Sequence, residues 1–171
     1  FIYERIGERY NHLLIDEFQD TSDMQFYNLL PLIENSLANN HFNLIVGDAK
    51  QAIYRWRGGK MELIVYLFKG DIKPLLNSVL VQDFQVEQFM SVAQYLNPKS
   101  LTTNYRSAKE IIDFNNRFFA AILEKYTPIY GFLPDVYSDY LQEIPSKALV
   151  GGQIQVEFLE YVKGEDLMLS R

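Results

Sequence analysis

The chain contains no cysteine, only two histidines and no hydrophobic run long enough to cross a bilayer. Without Cys there is no disulfide framework and no thiolate zinc site. His12 and His41 lie too far apart in sequence to write a histidine metal cluster. Any metal must therefore be held by oxygen. No uninterrupted apolar run exceeds six residues, the length of Leu63 to Phe68, against the roughly 20 a transmembrane helix needs. The first residues lack the charged start and apolar stretch of a signal peptide, and position 1 is Phe rather than Met. The chain reads as an excised piece of a cytoplasmic protein.

What is present is 171 residues, 48% of them hydrophobic, with 12 Phe, 12 Tyr and one Trp. That is the composition of a globular chain with a sizeable core, one domain or two incomplete ones. The net charge of −6 argues on average against a nucleic-acid partner, but the charge is uneven. Residues 1–23 carry six acids and two bases, whereas Lys50, Arg55, Arg57 and Lys60 form an acid-free basic stretch. Lys99, Arg106 and Lys109 form a second. Either stretch can meet phosphate, and either can equally be a solvated face.

Hydropathy patterning predicts an α/β fold. Residues 12–16 (HLLID) and 43–48 (NLIVGD) read as buried parallel strands, each ending in an acid. Between them Ser22 and Gln25 have capping-box spacing, and Phe26, Leu29, Leu30, Ile33 and Leu37 recur at helical intervals, with Pro31 a candidate kink. Strand, helix, strand makes a βαβ unit. A short helix is expected over residues 62–69, then helix and connecting loop to residue 100. Ser107 and Glu110 suggest a second capping box, opening a helix that carries Ile111, Ile112, Phe114, Phe118, Phe119, Ile122 and Leu123. Residues 127–152 read as a long loop. Ile154, Val156 and Phe158 alternate with polar residues as a strand with one wet face.

Three short segments can carry chemistry. Asp16-Glu17-Phe18-Gln19-Asp20 stands where a parallel strand opens into the crevice that α/β sheets use for ligands. Adjacent carboxylates there suit Mg-nucleotide chemistry, one acid on the metal and the next on the attacking water. An acidic strand end followed by a helix cap explains the same pair more simply. The second segment, residues 46–59 (VGDAKQAIYRWRGG), places Asp48, Gln51, Arg55, Trp56 and Arg57 after the second strand. Gln51 can sense a phosphate oxygen without a fixed charge. Trp56 offers a stacking face worth about 1–3 kcal/mol per base; a core Trp with surface arginines fits equally. In the third, residues 101–107 (LTTNYRS), Arg106 sits near a helix N-terminus, where its charge opposes the macrodipole unless an anion intervenes or Arg106 turns away to an acid.

In this order the segments resemble motifs II, III and IV of the UvrD/Rep family of superfamily 1 DNA helicases, and the Lys50 and Arg55 form of motif III is most similar to the RecB/AddA helicase-nuclease branch. The resemblance implies a partial P-loop NTPase (RecA-like) fold spanning parts of two motor lobes. Residues 1–75 would be the back half of the first, 76–100 the connecting region and 101–171 the start of the second. It implies ATP and Mg²⁺ as cofactors and single-stranded DNA as partner, together with a helicase-nuclease partner subunit. Asp16 would be the Mg²⁺ acid and Glu17 the residue that activates water. Gln51 would contact the γ-phosphate, Arg106 would reach it from the second lobe, and Tyr105 would lie against adenine. Trp56 would stack on a DNA base, while Asp48 and Arg57 couple nucleotide state to the DNA groove. Tyr54 and Arg55 are left as packing or surface residues.

One element of the pattern is missing. A P-loop needs G-x-x-x-x-G-K-[ST], but Gly59-Lys60 is followed by Met61, and Tyr54 occupies the place of the first Gly. The piece alone is therefore expected not to hydrolyse ATP, and to self-associate through apolar surface left uncovered. The rival reading is an ATPase-dead scaffold subunit of a helicase-nuclease.

Overall fold

The computed structural model describes Ile6 and residues 9–71, 73–76 and 83–157. It is mainly helical around a small parallel sheet. Strands β1 (Leu14–Ile15) and β2 (Leu44–Ile45) pair in parallel, Leu14 with Leu44 and Ile15 with Ile45. Both are shorter than their apolar runs predict. Helix α1 (Asp23–Ala38) crosses between them.

The start of α1 follows from its first residues. The Gln25 backbone N–H donates to Ser22 Oγ, and the Ser22 N–H donates back to Gln25 Oε1 at 2.9 Å, so the expected capping box is present. Pro31 contributes no N–H to the ladder, yet the helix continues to Ala38 because Leu30 and Ile33 on either side are buried. Phe26 meets Phe18 and Phe89 edge-on, with centroids 5.5 and 5.4 Å apart. Each such pair contributes about 0.5–1.5 kcal/mol beyond the area it buries. At the other end Ser36 Oγ donates to Asn11 O at 2.6 Å and lies 3.1 Å from Asn43 Oδ1, which accepts from Leu13 N. One buried hydroxyl thus fixes α1 against both strand entrances.

Helix α2 (Glu62–Lys69) closes the core with Leu63 and Leu67 and ends at Gly70, whose φ of 67° suits a residue without Cβ. A single turn, α3 (Lys73–Leu76), follows. Helix α4 (Asp83–Ala93) packs along α1, adding Phe89 and Val92 to the same core. The stretch expected to connect two units therefore carries a helix embedded in the first core.

Beyond it lie α5 (Lys109–Tyr126) and the single turn α6 (Leu133–Val136). Asn116 joins α5 to the following loop by two hydrogen bonds with the backbone of Gln142, both 2.9 Å. Thr103 and Glu143 form a parallel bridge. The long loop of residues 127–152 is thus interrupted by a helical turn and a bridge. Two ion pairs tie this part to the first, Lys69 with Asp135 and Lys50 with Asp139.

Two expectations are corrected. Ser107 and Glu110 do not form a capping box. The helix starts one residue later, with Ala108 as its N-cap. Asn104 Oδ1 accepts from the N–H groups of Arg106 and Ser107, and Glu110 Oε2 accepts from Gly151 N. Nor is there a strand over residues 153–157, where Ile154 and Val156 are exposed. Alternation makes a strand only where a neighbouring strand takes up its N–H and C=O groups, and among the described residues none does. Phe158 lies outside the described residues.

Candidate functional site

The C-terminal ends of β1 and β2 open into a cleft lined by Glu17, Gln19, Asp20, Gln51, Ile53 and Tyr54. Directly after β1 the chain turns at Glu17, whose φ of 51° and ψ of 41° are left-handed. For a residue with a Cβ this costs roughly 1–2 kcal/mol. The turn reverses the chain into a single 3₁₀ turn, Phe18–Asp20, and leaves both Asp16 and Glu17 exposed at the mouth. Asp16 Oδ1 accepts the Glu17 N–H at 2.9 Å. Phe18 N donates to Val46 O, carrying the parallel pairing one step past the strands.

Gln19 is buried, 1% exposed. Its Nε2 donates to Glu17 Oε2 at 2.6 Å, and its Oε1 accepts the Asp48 N–H at 3.0 Å. It therefore bridges the segments after β1 and β2. Gly47 makes room for it: a Cβ there would stand 2.7 Å from Gln19 Oε1 and 2.7 Å from Ile64 Cδ1.

Asp48 organises the second segment. Its side chain caps the 3₁₀ turn Ala49–Gln51 by accepting from Lys50 N, and it also accepts from Gln51 Nε2 at 3.1 Å and pairs with Lys50 Nζ at 2.8 Å. Burial acts to raise the Asp48 carboxyl, but the hydrogen bonds from Lys50 and Gln51, with the Lys50 charge, outweigh it and hold the group below the usual carboxylate range. Asp20 Oδ1 accepts from Ile53 N and Tyr54 N, both at 3.4 Å. The loop thus passes over the cleft into a further 3₁₀ turn, Arg55–Arg57.

That turn displays Trp56, 78% exposed. Arg57 lies over Trp56 and Tyr54, its guanidinium carbon 5.4 and 5.9 Å from the ring centroids. Trp56 is not a core residue, and Tyr54 belongs to its surface group. Arg55 pairs with Glu62 at 3.2 Å.

The structure brings Glu17 and Gln51 to one cleft, with Asp16 beside it and Trp56 and Arg57 on the adjoining turn. It does not bring Tyr105 and Arg106 there by any contact among the described residues. Both are exposed, Tyr105 at 80%, on the turn before α5 that Asn104 holds. Sequence reasoning passed over Gln19, Asp20 and Gly47. The signal for the first two was their place in the acidic run; Gly47 differs from other glycines only through the side chain it faces.

As a metal holder, Asp16 offers the hard oxygen that Mg²⁺ prefers, and one carboxylate suffices where phosphates and water complete the shell. Among the described residues no group of three or more His, Asp or Glu side chains gathers to hold a metal ion. No described helix is long and apolar enough to cross a membrane.

Residues 2–72 match the UvrD/REP helicase N-terminal domain. The chain is 33% identical over 109 residues to a probable DNA helicase II homolog of Mycoplasma capricolum, covering 64% of this chain and 12% of that protein. It is 30% identical over 172 residues to an ATP-dependent helicase/nuclease subunit of Clostridium novyi, covering 94% of this chain and 12% of that one. It is also 30% identical over 159 residues to the DNA helicase II of Haemophilus influenzae, covering 90% and 18%. The chain spans less than a fifth of these relatives' lengths.

Proposed function

The chain belongs, through residues 2–72, to the UvrD/REP helicase family, and from that premise we propose that it forms part of an ATP-dependent DNA helicase motor that couples ATP hydrolysis to movement on single-stranded DNA. The observation that carries this reading is the cleft at the strand ends, where Glu17 and Gln51 meet and Asp16 adjoins. In this reading residues 1–75 belong to a first RecA-like lobe and residues from about 101 to a second, with 76–100 between them in the chain while its helix α4 packs on the first core.

Asp16 would hold Mg²⁺, which supplies charge neutralisation on the transferring phosphate. Glu17 would orient the attacking water and take its proton. Gln51 would meet the γ-phosphate through a neutral amide, exchanging its bond to Asp48 for one to phosphate. Trp56, outward with Arg57 against its face, would stack on a base while Arg57 meets the backbone. Tyr105 and Arg106 would reach adenine and γ-phosphate only on closure of the second lobe, which makes hydrolysis depend on closure. The chain has no P-loop sequence, so on its own it is expected not to turn over ATP. The Lys50 and Arg55 pattern favours the helicase-nuclease branch and, with it, a partner subunit.

The test is steady-state ATP hydrolysis by the full-length protein, with and without single-stranded DNA, beside Glu17→Gln. DNA-stimulated turnover that collapses in the variant is expected. A full-length protein that turns over no ATP with or without DNA would replace this reading by that of a scaffold subunit.

A further inference from the structure

We propose that Gln19 is a positioning residue that fixes the Glu17 carboxylate against the segment beginning at Asp48, so that the water-activating acid and the phosphate-sensing loop move as one piece. This inference deepens the helicase reading and rests on it. Three observations carry it. First, the side chain is 1% exposed and both ends of its amide are used, Nε2 to Glu17 Oε2 at 2.6 Å and Oε1 from Asp48 N at 3.0 Å. The amide cannot be turned over without setting its oxygen against a carboxylate and its NH₂ against an N–H, so the partners themselves impose its orientation. Second, the Gln19 seat is built around this side chain. Gly47 leaves the space where a Cβ would stand 2.7 Å from Gln19 Oε1, and Phe18 N to Val46 O clamps the two segments immediately beside it. Third, Glu17 sits in a left-handed conformation that a residue with a Cβ adopts only when its surroundings hold it there, and the Gln19 bond closes over that turn from two residues away.

The consequence for chemistry is directional. With Oε2 of Glu17 engaged by the Gln19 amide, Oε1 is the oxygen presented for a water molecule. On the other side, Asp48 is bonded to both Lys50 and Gln51. A shift of Gln51 on meeting phosphate therefore reaches Glu17 through three hydrogen bonds and two intervening residues, Asp48 and Gln19. A buried amide suits this role because it donates to one segment and accepts from the other; a carboxylate could only accept, and an apolar side chain could do neither.

The experiment uses the full-length protein, with Gln19→Met, Gln19→Glu and Glu17→Gln compared at saturating single-stranded DNA, and thermal melts confirming folding. Gln19→Met keeps nearly the same shape and removes both bonds. Its kcat is expected to fall about 10- to 100-fold, the scale on which residues orienting a reacting group act, with KM for ATP changed by less than about threefold, because Glu17 acts on water rather than on bound nucleotide. Gln19→Glu keeps an acceptor for the Asp48 N–H but removes the donor to Glu17 and sets a second carboxylate beside it, so its kcat is expected to fall at least as far as that of Gln19→Met, again with KM for ATP changed by less than about threefold. A purely structural role would lower the melting temperature of both variants and leave the kcat of the folded protein near wild type, and Gln19→Glu decides the matter if Gln19→Met does not fold. Wild-type kcat in either folded variant overturns the proposal. If instead the wild-type protein shows no DNA-stimulated turnover that Glu17→Gln abolishes, the helicase reading itself fails, a result the Gln19 variants cannot produce.

Discussion

Gly47 has no space for even a methyl group, since its Cβ would meet Gln19 Oε1, Ile64 Cδ1 and Phe18 N at 2.7, 2.7 and 3.1 Å. Neither backbone nor buried amide can retreat without breaking a bond to Asp48 or Val46. Gly47→Ala should therefore destabilise the fold by about 1–3 kcal/mol, the usual cost of overpacking, read as a fall in the urea midpoint at unchanged slope. Asp48 gives a prediction of another kind. Its carboxyl lies below the ordinary 3.8 in the folded state, so its ionised form stabilises the protein fully above pH 3.8, and that contribution is lost as pH falls through the lower folded-state value. Thermal melts across that acid window should show stability declining in the wild type. In Asp48→Asn the decline should be shallower, from a lower starting point at neutral pH. The acids Asp16 and Glu17 could be picked out in the sequence because chemistry names them by type. Gln19 could not, because what distinguishes it is burial between two segments 29 residues apart.

At the level of elements, α1 depends on its first turn. Ser22 satisfies the Gln25 N–H and Gln25 satisfies the Ser22 N–H, so Ser22→Ala should cost about 1 kcal/mol. Because Phe26, Leu30 and Ile33 of this helix form the core with α2 and α4, the loss should appear in the global unfolding transition rather than as local fraying; far- and near-ultraviolet circular dichroism should shift together. This helix and the parallel pair were legible because local signals agree: a real cap, helical spacing and two apolar runs. Ser107 and Glu110 carry the same spacing, yet Asn104 engages the Ser107 N–H and Gly151 engages Glu110, partners that a four-residue pattern cannot include. The alternation at residues 153–157 fails for a similar reason, a strand being a property of two segments and not of one. The start of α5 is thus set by one partner three residues away, Asn104, and by another 41 residues away, Gly151.

For the whole molecule, the relevant surface is the sheet. Ile15 and Ile45 pack onto the core, but Leu14, Leu44 and Val46 on the alternate positions are exposed, Leu14 at 67%. Parallel strands with apolar residues on both sides are normally covered on both faces, and three adjacent aliphatic side chains in water favour burial against another surface. The isolated chain should therefore self-associate through this face, and sedimentation velocity should show an oligomer whose fraction rises with concentration. Leu14→Lys with Leu44→Lys should return it to monomer while leaving the melting temperature little changed, because neither side chain contributes to the buried core. The same pair of substitutions placed in the full-length protein distinguishes two origins of the exposed face. If further chain covers the sheet there, two lysines would be forced into a buried layer and the protein should be strongly destabilised; if the face is a docking surface between copies, only the oligomeric state should change. The sequence alone offers both apolar runs but no means of telling a face covered by its own chain from one covered by another.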